Sequence, residues 1–127
     1  MKWNFFRGVT AQNAGRRWLA IVLLFCSTPA WANYACLGTI DAIALNPGGI
    51  VTVTSNSSGL GVFYVCNIGS TANGVAPEQC KAIYASLLAA RMSAQNVAWT
   101  FNDALTCTTH PTWSWLTGWY YGPELTG

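Results

Sequence analysis

The segment 77–92 predicts the one convincing helix of the chain, and this helix limits the fold more than any other feature. Pro77 suits the first helical turn, because its missing N–H would have no intrahelical partner there. Glu78 and Gln79 follow, where the free N–H groups favour negative charge and side-chain acceptors. Apolar residues then recur at spacings of three and four, which predicts one buried stripe: Cys80, Ile83, Tyr84, Leu87 and Leu88.

Strand-like segments lie on both sides of this helix. In the segment 97–102, apolar and polar residues alternate, which predicts a half-buried strand with Val97, Trp99 and Phe101 on one face. Turn sequences at 46–49 and 56–59 separate the earlier segments. The order is therefore β-β-β-α-β-β, a mainly β protein with one helix. The five predicted strands are 36–45, 50–54, 61–66, 97–102 and 113–121, and a short tail, 124–127, follows.

Residues 1–32 have the features of a secretory signal peptide. Basic residues precede a short apolar core, 18–26, and Ala30-Trp31-Ala32 supplies the small-x-small pattern of a signal-peptidase site. We expect cleavage after Ala32, which leaves 33–127 as one small domain in the periplasm or outside the cell. The alternative is an N-terminal membrane anchor. It is disfavoured because a membrane span needs roughly 20 apolar residues, whereas the core 18–26 has nine. We therefore expect no stable span after cleavage.

Cleavage would reverse the sign of the net charge. The whole chain has a formal charge of +2, with six basic and four acidic residues. Only Lys81 and Arg91 of the basic residues lie beyond residue 32, whereas all four acids do, so the exported part has a charge of −2. Nucleic acid is therefore not an expected partner. A weakly charged, aromatic-rich surface is expected to face a glycan, a membrane or another subunit, and the alternative is that the aromatic residues fill a small core.

Four cysteines lie beyond the predicted cleavage site: Cys36, Cys66, Cys80 and Cys107. An even number in an exported chain predicts two disulfides. A zinc site is the alternative, but the chain has no C-x-x-C pair and the expected compartment is oxidising. Four cysteines allow three pairings, and only the fold can select among them.

The element order in fewer than about 100 residues is that of the OB-fold, a five-stranded barrel with its helix between strands three and four. In that barrel the first strand begins near the end of the fourth, and the third strand leads into the helix. We therefore expect a small OB-like five-stranded barrel with the disulfides Cys36–Cys107 and Cys66–Cys80. The alternative is a three-stranded meander with a packed helix and a separate hairpin.

The segment 84–97, helix followed by strand, resembles the same region in the B subunits of bacterial AB5 toxins of the subtilase-cytotoxin and pertussis-like group. The resemblance covers Tyr84-Ala-Ser-Leu-Leu-Ala-Ala-Arg-Met-Ser-Ala-Gln-Asn-Val97, together with the element order and the export signal. It implies an exported OB-fold protein that assembles as a pentameric ring and binds host glycans. No glycan-binding motif matches position by position, so the resemblance assigns no site residues.

Catalysis has little support in the sequence. His110 is the only histidine, and Asp103 precedes it by seven residues in the predicted loop 103–112. A Ser/His/Asp arrangement would need a nucleophile, and no nucleophile-elbow pattern is present. We therefore expect His110 to be a surface residue in a turn. We also expect no enzymatic activity, no metal site and no cofactor.

Aromatic residues are the candidates for ligand binding. OB-folds bind ligands on strands two and three, between the two loops that are here 46–49 and 103–112. Trp113, Trp115, Thr117 and Trp119 alternate and would share one face, although Gly118 is a candidate bend. The scarcity of basic charge favours sugars over nucleobases. The predicted ligand-binding residues are Tyr64, Trp113, Trp115 and Trp119.

Three functional hypotheses follow. The first is a secreted or periplasmic glycan-binding module, forming a homo-oligomer like the toxin B subunits. The second is a protein-binding module of the inhibitor or immunity type, and the third is an oligomeric envelope protein without a small ligand. The alternative to a sugar-binding role is that the tryptophans belong to the core or to a subunit interface.

Overall fold

The structure is a computed structural model that describes residues 33–127. The predicted signal peptide and its cleavage site at Ala32 lie outside the described residues. The described part is mainly β with a single helix, as the sequence predicts. Its elements are β1 (Tyr34–Thr39), β2 (Ala42–Leu45), β3 (Ile50–Ser55), β4 (Gly61–Asn67), α1 (Pro77–Ser93), β5 (Asn96–Phe101), β6 (Ser114–Trp115) and β7 (Trp119–Thr126).

The strands form two sheets, and the expected single closed barrel of five strands is not what the structure has. One sheet has the order β1-β5-β7, and the other has the order β2-β3-β4-β6. Neighbouring strands are antiparallel except for β4 and β6, which are parallel. Seven strands replace five because the first and the last predicted strands are each interrupted.

The first predicted strand, 36–45, is divided by a corner at Asp41. Residues before the corner pair with β5, and residues after it pair with β3. The Asp41 backbone N–H donates to the Thr54 carbonyl at 2.8 Å, and its carboxylate accepts from the Asn56 N–H at 2.7 Å. These bonds hold the chain where it passes from one sheet to the other, so one sequence segment supplies an edge strand to each sheet.

The last predicted strand, 113–121, is divided by a turn at Gly118, whose φ is +81°. Only β6 pairs with β4, whereas β7 begins at Trp119 and pairs with β5. The sequence predicts a strand that ends before Gly122 and a tail at 124–127, and both predictions are wrong, because β7 continues to Thr126. At Gly122 a Cβ would lie 2.8 Å from the Ala98 carbonyl oxygen, so the absence of a side chain lets β7 continue across β5.

Aromatic rings from both sheets meet in the core. Phe63 of β4 and Trp119 of β7 pack edge-on against Trp99, with ring centroids 5.7 and 5.2 Å away. Val97, Trp99 and Phe101 are fully buried, which confirms the predicted inner face of β5. The Trp99 indole Nε1 is the one buried side-chain polar atom in residues 33–127 that has no hydrogen-bond partner.

The helix covers the core with a narrower stripe than the sequence predicts. Cys80 and Leu87 are fully buried, and Ile83 and Tyr84 pack partly against the core. Leu88 is 38% exposed, so it does not belong to the stripe.

Two disulfides confirm the predicted pairing. Cys36 bonds to Cys107 and Cys66 bonds to Cys80, with Cα atoms 5.5 and 5.7 Å apart. The first joins the start of β1 to the loop after β5, and the second joins β4 to the first turn of α1. Both are consistent with an oxidising environment.

Candidate functional site

The outer face of the four-stranded sheet presents a row of four side chains, one from each strand, which we call the outer row. The strand register aligns Ala44 with Thr52, Thr52 with Tyr64, and Tyr64 with Trp115. Alternate residues on these strands point inward and are buried, as Val51, Val53 and Phe63 are in β3 and β4. Since side chains alternate across a strand, the outer row lies on the face opposite the core.

Tyr64 and Trp115 form the aromatic half of the outer row. Their ring centroids are 5.8 Å apart and the ring planes are inclined at 73°. Both side chains are partly exposed. Ala44 and Thr52 on the other half are small, so the row is a low surface bounded on one side by two aromatic rings. The Thr52 side chain adds a hydroxyl group, which can both donate and accept hydrogen bonds.

Backbone hydrogen bonds fix the strand that carries Trp115. The Leu116 N–H donates to the Tyr64 carbonyl at 2.9 Å, and Leu116 itself is buried. The Asn73 side-chain amide donates to the carbonyl oxygens of Val65 and Leu116, at 3.0 and 2.8 Å. Asn73 therefore connects β4 to the end of β6 and holds two short strand ends together.

The four predicted ligand-binding residues do not all lie together. The structure brings Tyr64 and Trp115 together. Trp113 precedes this pair and is 67% exposed, and its N–H donates to the Val62 carbonyl at 2.7 Å. Trp119 packs against the core residue Trp99 on the inner side of the other sheet. The bend at Gly118 separates Trp119 from the outer row, so the predicted alternation over 113–119 is wrong.

A second group of polar side chains, which we call the Tyr34 cluster, consists of Tyr34, Asp103 and His110. The Tyr34 hydroxyl donates to Asp103 Oδ1 at 2.5 Å and lies 2.8 Å from His110 Nε2. His110 Nε2 is 3.9 Å from Asp103 Oδ2. Phe101 stacks on Tyr34 and contacts the His110 ring, with centroids 5.2 and 4.4 Å away. The cluster joins the start of β1 to both ends of the loop 103–112.

The hydrogen bonds assign the protons in the Tyr34 cluster. The Tyr34 hydroxyl has one proton, which it donates in the hydrogen bond to Asp103. The Tyr34 oxygen therefore accepts from His110, whose neutral ring has its N–H at Nε2. Burial lowers the pKa of His110 below its ordinary value, and the charge of Asp103 acts against this shift. Burial raises the pKa of Tyr34, as do its hydrogen bond to Asp103 and the charge of that carboxylate.

His110 is only 6% exposed, so the expectation of a surface histidine is wrong. Sequence spacing relates His110 to Asp103 but not to Tyr34, which precedes His110 by 76 residues. The one local sign of this partner is that Tyr34 is the first aromatic residue after the predicted cleavage site. Within residues 33–127 no serine or threonine hydroxyl hydrogen-bonds to His110, so the cluster does not have the arrangement of a Ser/His/Asp triad.

The edge strand β7 carries a third exposed group. Tyr120 and Tyr121 are 53% and 58% exposed, and they border an open depression of about 430 Å³ that also includes Glu124. Edge strands with exposed apolar side chains are common sites of association with another chain.

Comparison of the chain with protein-family models, with curated proteins and with solved structures finds no match. Among residues 33–127 no group of three or more His, Cys, Asp or Glu side chains is placed to hold a metal ion. In that same part of the chain, α1 falls short of the length and apolar character that crossing a membrane requires.

Proposed function

We propose that residues 33–127 form an exported binding module that holds a short saccharide on the outer row. The observation that carries this proposal is the pairing of Tyr64 and Trp115 beside two small residues, Ala44 and Thr52, on an outward sheet face. The apolar C–H face of a sugar ring packs on an aromatic ring, and its hydroxyl groups bond to polar side chains such as Thr52. Sheet spacing sets the scale: three gaps of about 4.8 Å give a row about 14 Å long.

Charge supports a neutral ligand. Lys81 and Arg91 are the only basic residues beyond residue 32, and both lie on α1 rather than on the four-stranded sheet. Arg91 is also engaged, because its Nε donates to the Asp41 carbonyl at 3.0 Å. A phosphate or a nucleic acid would need basic side chains near the row, whereas an uncharged sugar needs none.

We also propose that the two sheets together have an OB-like architecture. The edges of one sheet are β1 and β7, the edges of the other are β2 and β6, and the chain continues directly from β1 to β2 and from β6 to β7. Joined at these corners, the strands would follow the five-stranded order of an OB-fold. OB-folds commonly bind oligosaccharides, and the resemblance of 84–97 to toxin B subunits agrees with this class of ligand.

The test is a glycan array probed with the exported protein, followed by titration of each bound sugar with tryptophan fluorescence as the signal. Replacing the Trp115 ring removes about 0.5–1.5 kcal/mol of aromatic contact. Trp115→Ala should therefore weaken binding by roughly 2–13-fold. Tyr120→Ala is the matched control, since it removes an exposed ring from the other sheet. Equal affinities of the wild type and Trp115→Ala for every bound sugar would exclude the outer row as the site.

A second candidate function, a protein-binding module, is favoured by the exposed tyrosines of β7. Tyr120 and Tyr121 on an edge strand provide aromatic anchors of the kind that protein interfaces use. Light scattering on the exported protein distinguishes the candidates. A pentamer would support a ring-forming glycan binder that resembles the toxin B subunits. A monomer would exclude the ring and favour a single protein partner.

A further inference from the structure

We propose that the Tyr34 cluster positions the outer row, and that protonation of His110 releases the segment that seats Trp115 on Tyr64. The effect of this protonation on sugar affinity rests on the proposed function. The positioning of Trp115 by the Tyr34 cluster does not, because it concerns the ligand-free protein. Two connections lead from the cluster to Trp115, one from each end of the segment 111–118.

The first connection runs through Pro111 to β6. His110 is buried against Phe101, and the next residue, Pro111, has its carbonyl bonded to the Ser114 hydroxyl at 2.8 Å. Ser114 is the first residue of β6 and is followed directly by Trp115. A displacement of His110 therefore moves the hydrogen-bonded turn that leads into β6.

The second connection runs through Asp103 to the turn that ends the segment. A Cβ at Gly118 would overlap the Asp103 carboxylate, and its distance to Asp103 Cγ would be 2.9 Å. The Asn102 N–H also donates to the Gly118 carbonyl at 3.3 Å. Asp103 is thus packed directly beneath the turn at Gly118, and the bonds that fix this carboxylate also fix the exit of the segment.

The hydrogen bonds of the cluster are already complete when the His110 ring is neutral, and a proton added at Nδ1 would leave both of them in place. Neutral His110 donates to Tyr34, and Tyr34 donates to the ionised Asp103. The titratable groups that face the His110 ring are Tyr34 from β1 and Asp103 from the loop, while Phe101 from β5 contributes only an apolar ring. Protonation would place a cation in this buried site, and the carboxylate offsets only part of the cost.

The direction of the pH effect follows from the pKa of His110, which burial lowers in the folded protein. The cluster is therefore fully stable above the ordinary histidine pKa of about 6.5 and loses stability as the pH falls below it. The Cys36–Cys107 disulfide keeps residue 107 attached to β1. Acidification would therefore release only residues that follow Cys107, and these include the segment that leads to Trp115.

The test is a pH titration of the ligand-free exported protein from pH 8 to pH 4.5, followed by near-UV circular dichroism. We expect a single-proton transition in the wild type and none in His110→Gln, which retains an N–H donor for Tyr34 but takes up no proton. Asp103→Asn should shift the transition to lower pH by roughly 1 unit, because it removes a charge 3.9 Å from the ring. Trp115→Phe should remove most of the signal.

Three results would overturn the inference: no transition in the wild type between pH 8 and pH 4.5, a transition in His110→Gln at the wild-type pH, or an unchanged transition in Asp103→Asn. Should His110→Gln fail to fold, the Asp103→Asn comparison decides alone.

Sugar affinity is measured separately at pH 7.5 and pH 5. A transition in a protein that binds no sugar would contradict the proposed function but support the positioning role. Sugar affinity equal at both pH values, with no transition, would support the function and reject the role.

Discussion

Replacement of Gly118 by alanine tests whether Asp103 supports the turn before β7. The φ of +81° at Gly118 disfavours any residue with a Cβ, at a cost of about 1–2 kcal/mol. The new Cβ would also overlap the Asp103 carboxylate. Asp103 cannot rotate away without cost, because its Oδ1 accepts from the Tyr34 hydroxyl and from the Leu105 N–H at 3.0 Å. Loss of a hydrogen bond to a charged group costs about 1.5–3 kcal/mol.

Together these effects should lower the free energy of unfolding by about 2.5–5 kcal/mol. Gly74→Ala is the matched control. Gly74 has a φ of +73°, lies in an exposed turn and would have no atom within 4 Å of its Cβ. Gly74→Ala should therefore lower the free energy of unfolding by the backbone cost alone, about 1–2 kcal/mol. Both variants change the unfolded chain in the same way, so their difference isolates the contact with Asp103.

The assay is urea denaturation at pH 7.5, followed by far-UV circular dichroism. The excess loss in Gly118→Ala over Gly74→Ala should be about 1.5–3 kcal/mol. For a domain of this size it should appear as a difference in Tm of at least about 6 °C. Equal losses in the two variants would refute the reasoning, because they would mean that Asp103 moves freely and does not hold the turn.

Two remaining predictions concern the core and the disulfides. Leu87→Asp should prevent folding, since it places an unpaired charge in the core, whereas Leu88→Asp on the exposed side of α1 should fold, and circular dichroism at 25 °C separates the two. A folded Leu87→Asp protein would mean that this face of the helix is not packed. Double alanine replacement of Cys36–Cys107 should cost about 4.4 kcal/mol and that of Cys66–Cys80 about 3 kcal/mol, because the linked residues are 71 and 14 positions apart. Urea denaturation measures both losses, and the opposite ranking would contradict the loop-entropy argument.

Local features of the sequence were sufficient to predict the helix and the strand that follows it. The periodicity of 77–92 predicted α1 to within one residue of its end at Ser93. The alternation in 97–102 predicted β5 and its buried face. Both depend on residues only a few positions apart, whose spacing determines which face is apolar. The cysteine pairing was also correct, because it required only the order of the elements and the proximity of their ends.

The tertiary structure alone decided where strands break and which aromatic rings share a surface. The sequence indicates a bend at Gly118, but the effect of this bend depends on Asp103 beneath it and on β5 beside it. For this reason Trp115 joined the outer row whereas Trp119 joined the core.

The Tyr34 cluster is the clearest case of a site that the sequence did not determine by itself. Composition identified His110 as the only histidine, and spacing linked it to Asp103. Burial of His110, and its bond to a tyrosine 76 residues earlier, depend on how β1 lies beside β5 and on how the loop returns to it. Local patterns record which face of an element is apolar, whereas contacts between distant segments depend on the packing of all elements together.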